Sequence, residues 1–162
     1  MDIGSKNGYP SSECSNFAHQ PFVFDGIDCG SREGILQALK FEKAHIQIEV
    51  CKLVGVAAKN RGKEHNKQWK QAQKLWWQGD EFPRKSDEYQ HLLDRIFLEC
   101  ARQSATFRNA LINTRDNVLT HAMSRSREAE TILTQHEFCS RLMSLRELLK
   151  DGVEALNKTR RL

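Results

Sequence analysis

The sequence has no uninterrupted apolar run near the ~18–20 residues that cross a bilayer. Its opening residues, MDIGSKNGYP, lack the apolar core of a signal peptide. A cytoplasmic protein without a membrane partner is therefore expected. There is no HExxH among the six histidines, and no CxxC among the five cysteines Cys14, Cys29, Cys51, Cys100 and Cys139. An odd count without metal-ligand spacing argues against a disulfide framework and against structural zinc. The thiols read as small buried hydrophobes, and neither a metal nor a cofactor is expected. No repeat, low-complexity linker or composition break marks a second domain.

What is present suits one domain, residues 1–162, around a single core: 39% of residues are hydrophobic and 28% charged. Segments 1–12 and 155–162 are expected to be mobile. The net charge of +4 is unevenly placed. Lys59, Arg61, Lys63, Lys67, Lys70 and Lys74 cluster with Glu64 as the one acid among them, and Trp69, Trp76 and Trp77 follow closely. Such a stretch suits a pyrophosphate or a nucleic-acid backbone, with Trp stacking on a base. It equally suits a solvated helix face.

Patterning predicts a mostly helical α+β domain with a small sheet or hairpin near the N-terminus. Phe22–Cys29 reads as a hairpin, with Asp25-Gly26 turning the chain and Phe22, Phe24 and Ile27 over the core. Ser31 caps a helix over Gly30–Phe41. A second helix is expected over Ala44–Ala58, with Ile48, Cys51, Val54 and Gly55 inward, broken at Lys59–Lys63. A third is expected over Asn66–Gln78, from Trp69, Ala72, Gln73 and Trp76 at helical spacing. Ser86 caps an amphipathic helix carrying Tyr89, Leu92, Leu93, Ile96, Phe97 and Cys100. Ser104 caps a shorter one through Phe107 and Leu111. Val118–His121 reads as a short strand and Met123–Glu130 as a polar loop. Thr134-x-x-Glu137 is a capping box opening a helix with Phe138, Leu142, Leu145 and Leu149, to about Val153. Lys158–Leu162 is a basic tail expected to fray.

On the Gly30–Phe41 helix, Glu33, Gln37 and Lys40 share one stripe, since i, i+4 and i+7 return to the same face. An acid, an amide and a base so placed suit an active-site wall. They also describe an ordinary solvated face.

A wider pattern bears on that choice. Cys14-Ser15-Asn16-Phe17-Ala18, Pro21, Asp25-Gly26 and then Glu33-xxx-Gln37-Ala38-x-Lys40-Phe41 resemble, in order and spacing, the opening of the NADAR (YbiA-like) N-glycosidase family. Gly62 to Trp69 resembles that family's basic run ending in Trp. Leu142-Met143-x-Leu145-Arg146 resembles its closing helix. The resemblance spans roughly Cys14 to Glu147. It implies a YbiA-like fold and a hydrolase that cleaves a ribosyl C1′–N bond.

Two family activities are implied: removal of ADP-ribose from modified guanine in nucleic acid, and cleavage of riboflavin-biosynthesis intermediates with release of ribose 5-phosphate. The basic, Trp-containing stretch leans toward the first, with an ADP-ribosylated nucleotide, possibly on DNA, as partner. A non-catalytic module binding ADP-ribose or an NAD-like nucleotide is the alternative outside enzymes.

The resemblance makes Glu33 the catalytic carboxylate, near a helix N-terminus that favours its anion. Lys40 is the second catalytic candidate, either attacking a ring-opened ribose as a Schiff-base lysine or holding a phosphate as a cation. Ser15, Asn16, Phe17, Gln37, Arg61 and Trp69 are the substrate-binding candidates. The family's N-D-x-x-W-G segment is replaced by Met123–Phe138, MSRSREAETILTQHEF, in which Glu130 is the nearest substitute acid. Arg32 stands where YbiA-like relatives have Ser. The oligomeric state stays open.

Overall fold

In the computed structural model, which describes residues 1–162, the chain turns back first at Asp25 and Gly26. Both take positive φ, 49° and 78°, as a tight two-residue hairpin requires. Phe22 therefore pairs with Cys29 and Phe24 with Ile27, joining β1 (Phe22–Phe24) to β2 (Ile27–Cys29). A short helix, α1 (Ser11–Cys14), precedes the hairpin. Phe22 and Phe24 are buried and Ile27 packs partly on the core, as the alternation predicts.

The helix that follows, α2 (Arg32–Ala38), opens where Ser31 Oγ accepts from the Gly34 amide at 3.0 Å. It is buried on every side, its polar stripe included. The solvated face is therefore not what this stripe is. α3 (Ala44–Cys51) and α4 (Gly55–Lys63) pack across α2. The approach is close: a Cβ on Gly34 would stand 2.5 Å from the Cys51 carbonyl oxygen and 2.6 Å from that of Leu53.

That approach explains one correction. The helix expected over Ala44–Ala58 is two helices, split at Lys52–Val54. The carbonyls freed by the break are taken by α2's start, with Gly30 N donating to Cys51 O at 2.9 Å and Ser31 Oγ to Leu53 O at 2.9 Å. Gly55 begins α4 at φ 56°. Cys51 is buried as expected, but Ile48 is 40% exposed and Val50 points inward in its place. Lys59–Lys63 is the end of α4, not a break.

A second correction lies in the Trp-rich stretch. α5 (Asn66–Ala72) stops at Gln73, which is left-handed at φ 49°. The chain then forms β3 (Lys74–Trp77), a turn at Gln78-Gly79 with φ 46° and 93°, and β4 (Asp80–Pro83). Alternation replaces the helical period, so Leu75 and Trp77 are buried and Trp76 is half-buried. The two hairpins are separate two-stranded antiparallel sheets.

The rest is helical. α6 (Asp87–Gln103) and α7 (Ala105–Asn113) start at Ser86 and Ser104, whose hydroxyls accept from the Tyr89 and Phe107 amides. α8 (Gln135–Leu149) carries the capping box and ends at Leu149, short of Val153, with a separate α9 (Glu154–Lys158) beyond it. One continuous apolar cluster joins these helices to both hairpins. All five cysteines are free and buried. Val118–His121 is not a strand: a single parallel bridge, Thr120 to Asp2, joins it to the N-terminal segment, where Ile3 is buried. No helix is long and apolar enough to cross a membrane.

Candidate functional site

The inward stripe of α2 ends in a cavity of about 450 Å³, walled by α2, α4, α5 and the chain from His121 to Phe138. Glu33 lies on its α2 wall. Its Oε1 accepts from Gln37 Nε2 at 2.7 Å, and its own amide donates to Asn16 O at 3.0 Å, bringing the Ser15–Phe17 turn against α2. Burial pushes the Glu33 carboxyl above the usual carboxylate range, although the Gln37 hydrogen bond and the Lys40 charge pull it down.

Lys40 is also buried, with Nζ donating to Asn66 Oδ1 at 2.7 Å rather than to Glu33. Burial lowers it to about 8 against the pull of Glu33, and the neighbouring cations Lys70, Lys59 and Lys63 lower it further. Burial thus shifts the carboxyl up and the amine down on the same wall.

Three buried polar atoms on residues of the wall have no partner in the chain: Asn16 Oδ1, Gln37 Oε1 and Trp69 Nε1. Such a group left unsatisfied costs about 1–3 kcal/mol, and of the three Gln37 Oε1 lies against Gly62. Lys59, Lys63, Lys70 and Arg125 add four cations to the lining.

Asn16, Phe17, Glu33, Gln37, Lys40, Trp69 and Glu130 thus line one cavity. Ser15 and Arg61 do not. The Ser15 hydroxyl accepts from the Phe17 amide at 3.2 Å and shapes the turn. Arg61 pairs with Glu64 at 2.6 Å and lies 4.8 Å over the Phe41 ring. Glu130 stands at the rim, its side chain 40% exposed and 3.5 Å from Arg127.

Arg32 turns away from the cavity into the core. Its guanidinium stacks 3.7 Å from the Phe107 ring centroid and donates to Cys14 O at 3.0 Å and Ser15 O at 3.1 Å. It therefore props the Asn16 turn from behind.

Sequence reasoning missed Asn66, His121 and Arg125 as lining residues. Asn66 shared the basic helix and carried one available signal, its place one turn before the aligned Trp. His121 and Arg125 carried none, because only the tertiary path of the Val118–Leu133 chain brings them here. That wall is clamped from outside: Arg84 Nε donates to Thr131 O at 2.8 Å and Tyr89 Oη to Ile132 O at 2.6 Å.

The fold and its cavity define a YbiA-like α+β domain. The NMR structure of the E. coli protein YbiA matches with a TM-score of 0.62 and 18% sequence identity, over 93% of this chain and 84% of that one. The family model described as bacteriophage protein GP30.3 matches residues 8–147, and the chain belongs to that family. One relative is named by its mass and place, the 17.1 kDa protein of the gp30–rIII intergenic region of enterobacteria phage T4. It is 35% identical over 150 residues, 92% of this chain and 98% of that protein.

Proposed function

We propose that the protein is an N-glycosidase that hydrolyses a ribosyl C1′–N bond, with ADP-ribose on modified guanine as the substrate best matched to the cavity. The carrying observation is the buried Glu33–Gln37–Lys40 wall facing the lysine-lined space. As the base departs, positive charge grows on C1′ and the ring oxygen. The Glu33 carboxylate, oriented by Gln37 Nε2, stabilises that charge and takes a proton from the attacking water. Its raised affinity for a proton suits that exchange. Lys59, Lys63 and Lys70 supply the positive field a pyrophosphate needs. Phe17 offers a ring surface for a sugar or base.

The test is direct. The protein is incubated with DNA carrying ADP-ribosylated guanine and, separately, with ribosylamino-pyrimidines of riboflavin biosynthesis, and released sugar is followed by mass spectrometry. Free ADP-ribose from the first supports the proposal. Ribose 5-phosphate from the second alone moves the substrate to the riboflavin pathway. ADP-ribose bound without release in either reaction makes the chain a binding module.

A further inference from the structure

Cleaving a glycosidic C–N bond in this way asks for two proton-transferring groups, one for the water and one for the departing nitrogen. Glu33 is the first. Glu130 is poorly placed for the second, being half-exposed beside Arg127. We propose that His121 is the second group, donating from Nε2 to the departing base nitrogen, with the Met1–Ile3 segment as its positioning strut. The inference rests on the N-glycosidase reading above.

His121 lines the cavity and meets the Phe138 ring edge-on, centroids 5.2 Å apart. Its Nδ1 lies 2.6 Å from the Ile3 carbonyl oxygen. A carbonyl only accepts, so Nδ1 carries a proton and Nε2 is left with no partner in the chain. The imidazolium can thus donate from Nε2. The neutral ring left behind is already the tautomer that Ile3 holds, so donation needs no ring flip.

The strut is tied on both sides of the ring. Ile3 N donates to Thr120 O at 2.7 Å and Thr120 N to Met1 O at 2.9 Å. The Met1 ammonium donates to Val118 O at 2.7 Å, and Ala122 N to Asp2 Oδ1 at 2.8 Å. His121 N donates to Gln135 Oε1 at 2.9 Å, which fixes the backbone to α8. The charged groups around the ring are Asp2 and the Met1 ammonium on the strut, Glu33 on α2, Lys40 just past its end, and Arg125 and Glu130 on the wall. Asp2 is held below the usual carboxylate range, first by the Ala122 amide and, among lesser causes, by the His121 charge.

The step balances. The C1′–N bond breaks, and its electron pair goes to the base nitrogen, which takes the Nε2 proton. The water oxygen bonds to C1′ and its proton passes to the Glu33 carboxylate. Solvent then removes a proton from Glu33 and returns one to His121.

Two measurements test this. In the full chain labelled with [15N]histidine, the His121 ring is expected in the Nδ1–H form when neutral, and saturating ADP-ribose is expected to shift its Nε2 resonance. An Nε2 resonance unmoved at saturation overturns the proposal whether or not turnover is seen, so it separates this failure from that of the hydrolase reading. In turnover assays, His121→Gln and His121→Ala are expected to lose ~10²–10⁴-fold in kcat on ADP-ribosylated guanine with KM nearly unchanged. Added imidazole should restore part of the His121→Ala rate. Cleavage of NAD, whose pyridinium departs without needing a proton, should fall much less. Equal loss on both leaving groups without rescue would assign His121 a packing role only and refute the proposal, as would rates within about threefold of the unaltered chain.

Discussion

Glu33 sits in the first turn of α2 but not at an exposed position, and this changes what its removal does. As an exposed first-turn residue it would stabilise the helix by about 0.3–1 kcal/mol through the dipole. Buried, its charge is disfavoured, as the rise in its proton affinity records. Glu33→Gln keeps the size and removes the charge. Turnover is expected to fall ~10²–10⁴-fold, while ADP-ribose binding persists and the Tm, read by calorimetry, holds or rises. A fold that collapses would instead make Glu33 structural. Lys40 gives a pH signature. With its amine at about 8, the cation is largely lost by pH 9, so ADP-ribose affinity measured by titration calorimetry should weaken through that window. Lys40→Met should flatten the dependence. Because the unfolded amine titrates near 10.5, the unfolded chain binds more protons between about 8 and 10.5. Lys40's contribution to stability therefore rises with pH across that range.

At the scale of elements, the site depends on how closely α4 approaches α2. A Cβ on Gly62 would fall 1.7 Å from Gln37 Oε1, so Gly62 leaves the room in which the Gln37 amide lies while its Nε2 bonds Glu33. Gly62→Ala should displace Gln37, lower stability by about 1–3 kcal/mol as overpacking does, and reduce turnover through a misoriented Glu33. The double variant Gly62→Ala with Gln37→Ala should regain stability without regaining turnover. Denaturant melts and rate assays on the four-member cycle check both claims, and additive losses would sink the idea. Lys59–Lys63, with Gly62 in it, reads as a helix break from sequence because composition does not reveal a neighbour. The Trp-rich stretch misled for a related reason. Leu75, Trp76 and Trp77 form an apolar run too short to show its own period, and it continued the helical spacing of Trp69 and Ala72. The left-handed Gln73 and the Gln78-Gly79 turn decide it as a strand.

At the scale of the molecule, the wall opposite α2 is held by a buried ion pair. Arg84 donates to both carboxylate oxygens of Glu137, at 3.1 and 2.7 Å, and also to Thr131 O, linking the end of β4 to α8 and to the cavity wall. Burial works to raise the Glu137 carboxyl, but hydrogen bonds from Arg84, the Thr134 amide and Gln90 outweigh it and hold it below the usual range. Glu137 therefore stabilises the fold above its unfolded value of 4.5, and that contribution disappears as pH falls through the lower folded value. Arg84→Met, which leaves the carboxylate buried without its cation, should cost about 3–5 kcal/mol in urea melts at pH 7. It should also flatten the acid limb of stability, and an unchanged limb would show that Arg84 is not what holds Glu137 down.

The local features were legible in the sequence because each is set by near neighbours along the chain. The Asp25-Gly26 turn, the Ser31, Ser86 and Ser104 caps, the Thr134–Glu137 box and the apolar face of α6 need only a few adjacent residues. The Glu33, Gln37 and Lys40 stripe was visible for the same reason, since helical periodicity places it. Whether that stripe faced water or a cavity was not a local question. α3 and α4 had to split and fold across α2, exchanging helical hydrogen bonds for bonds to Gly30 and Ser31. His121 needed the bridge of its neighbour Thr120 to Asp2, over a hundred residues away, before its ring could stand in the same space as Glu33. Burial then altered the chemistry itself, because desolvation drives the shifts in Glu33 and Lys40, and it exists only once the tertiary structure has excluded water.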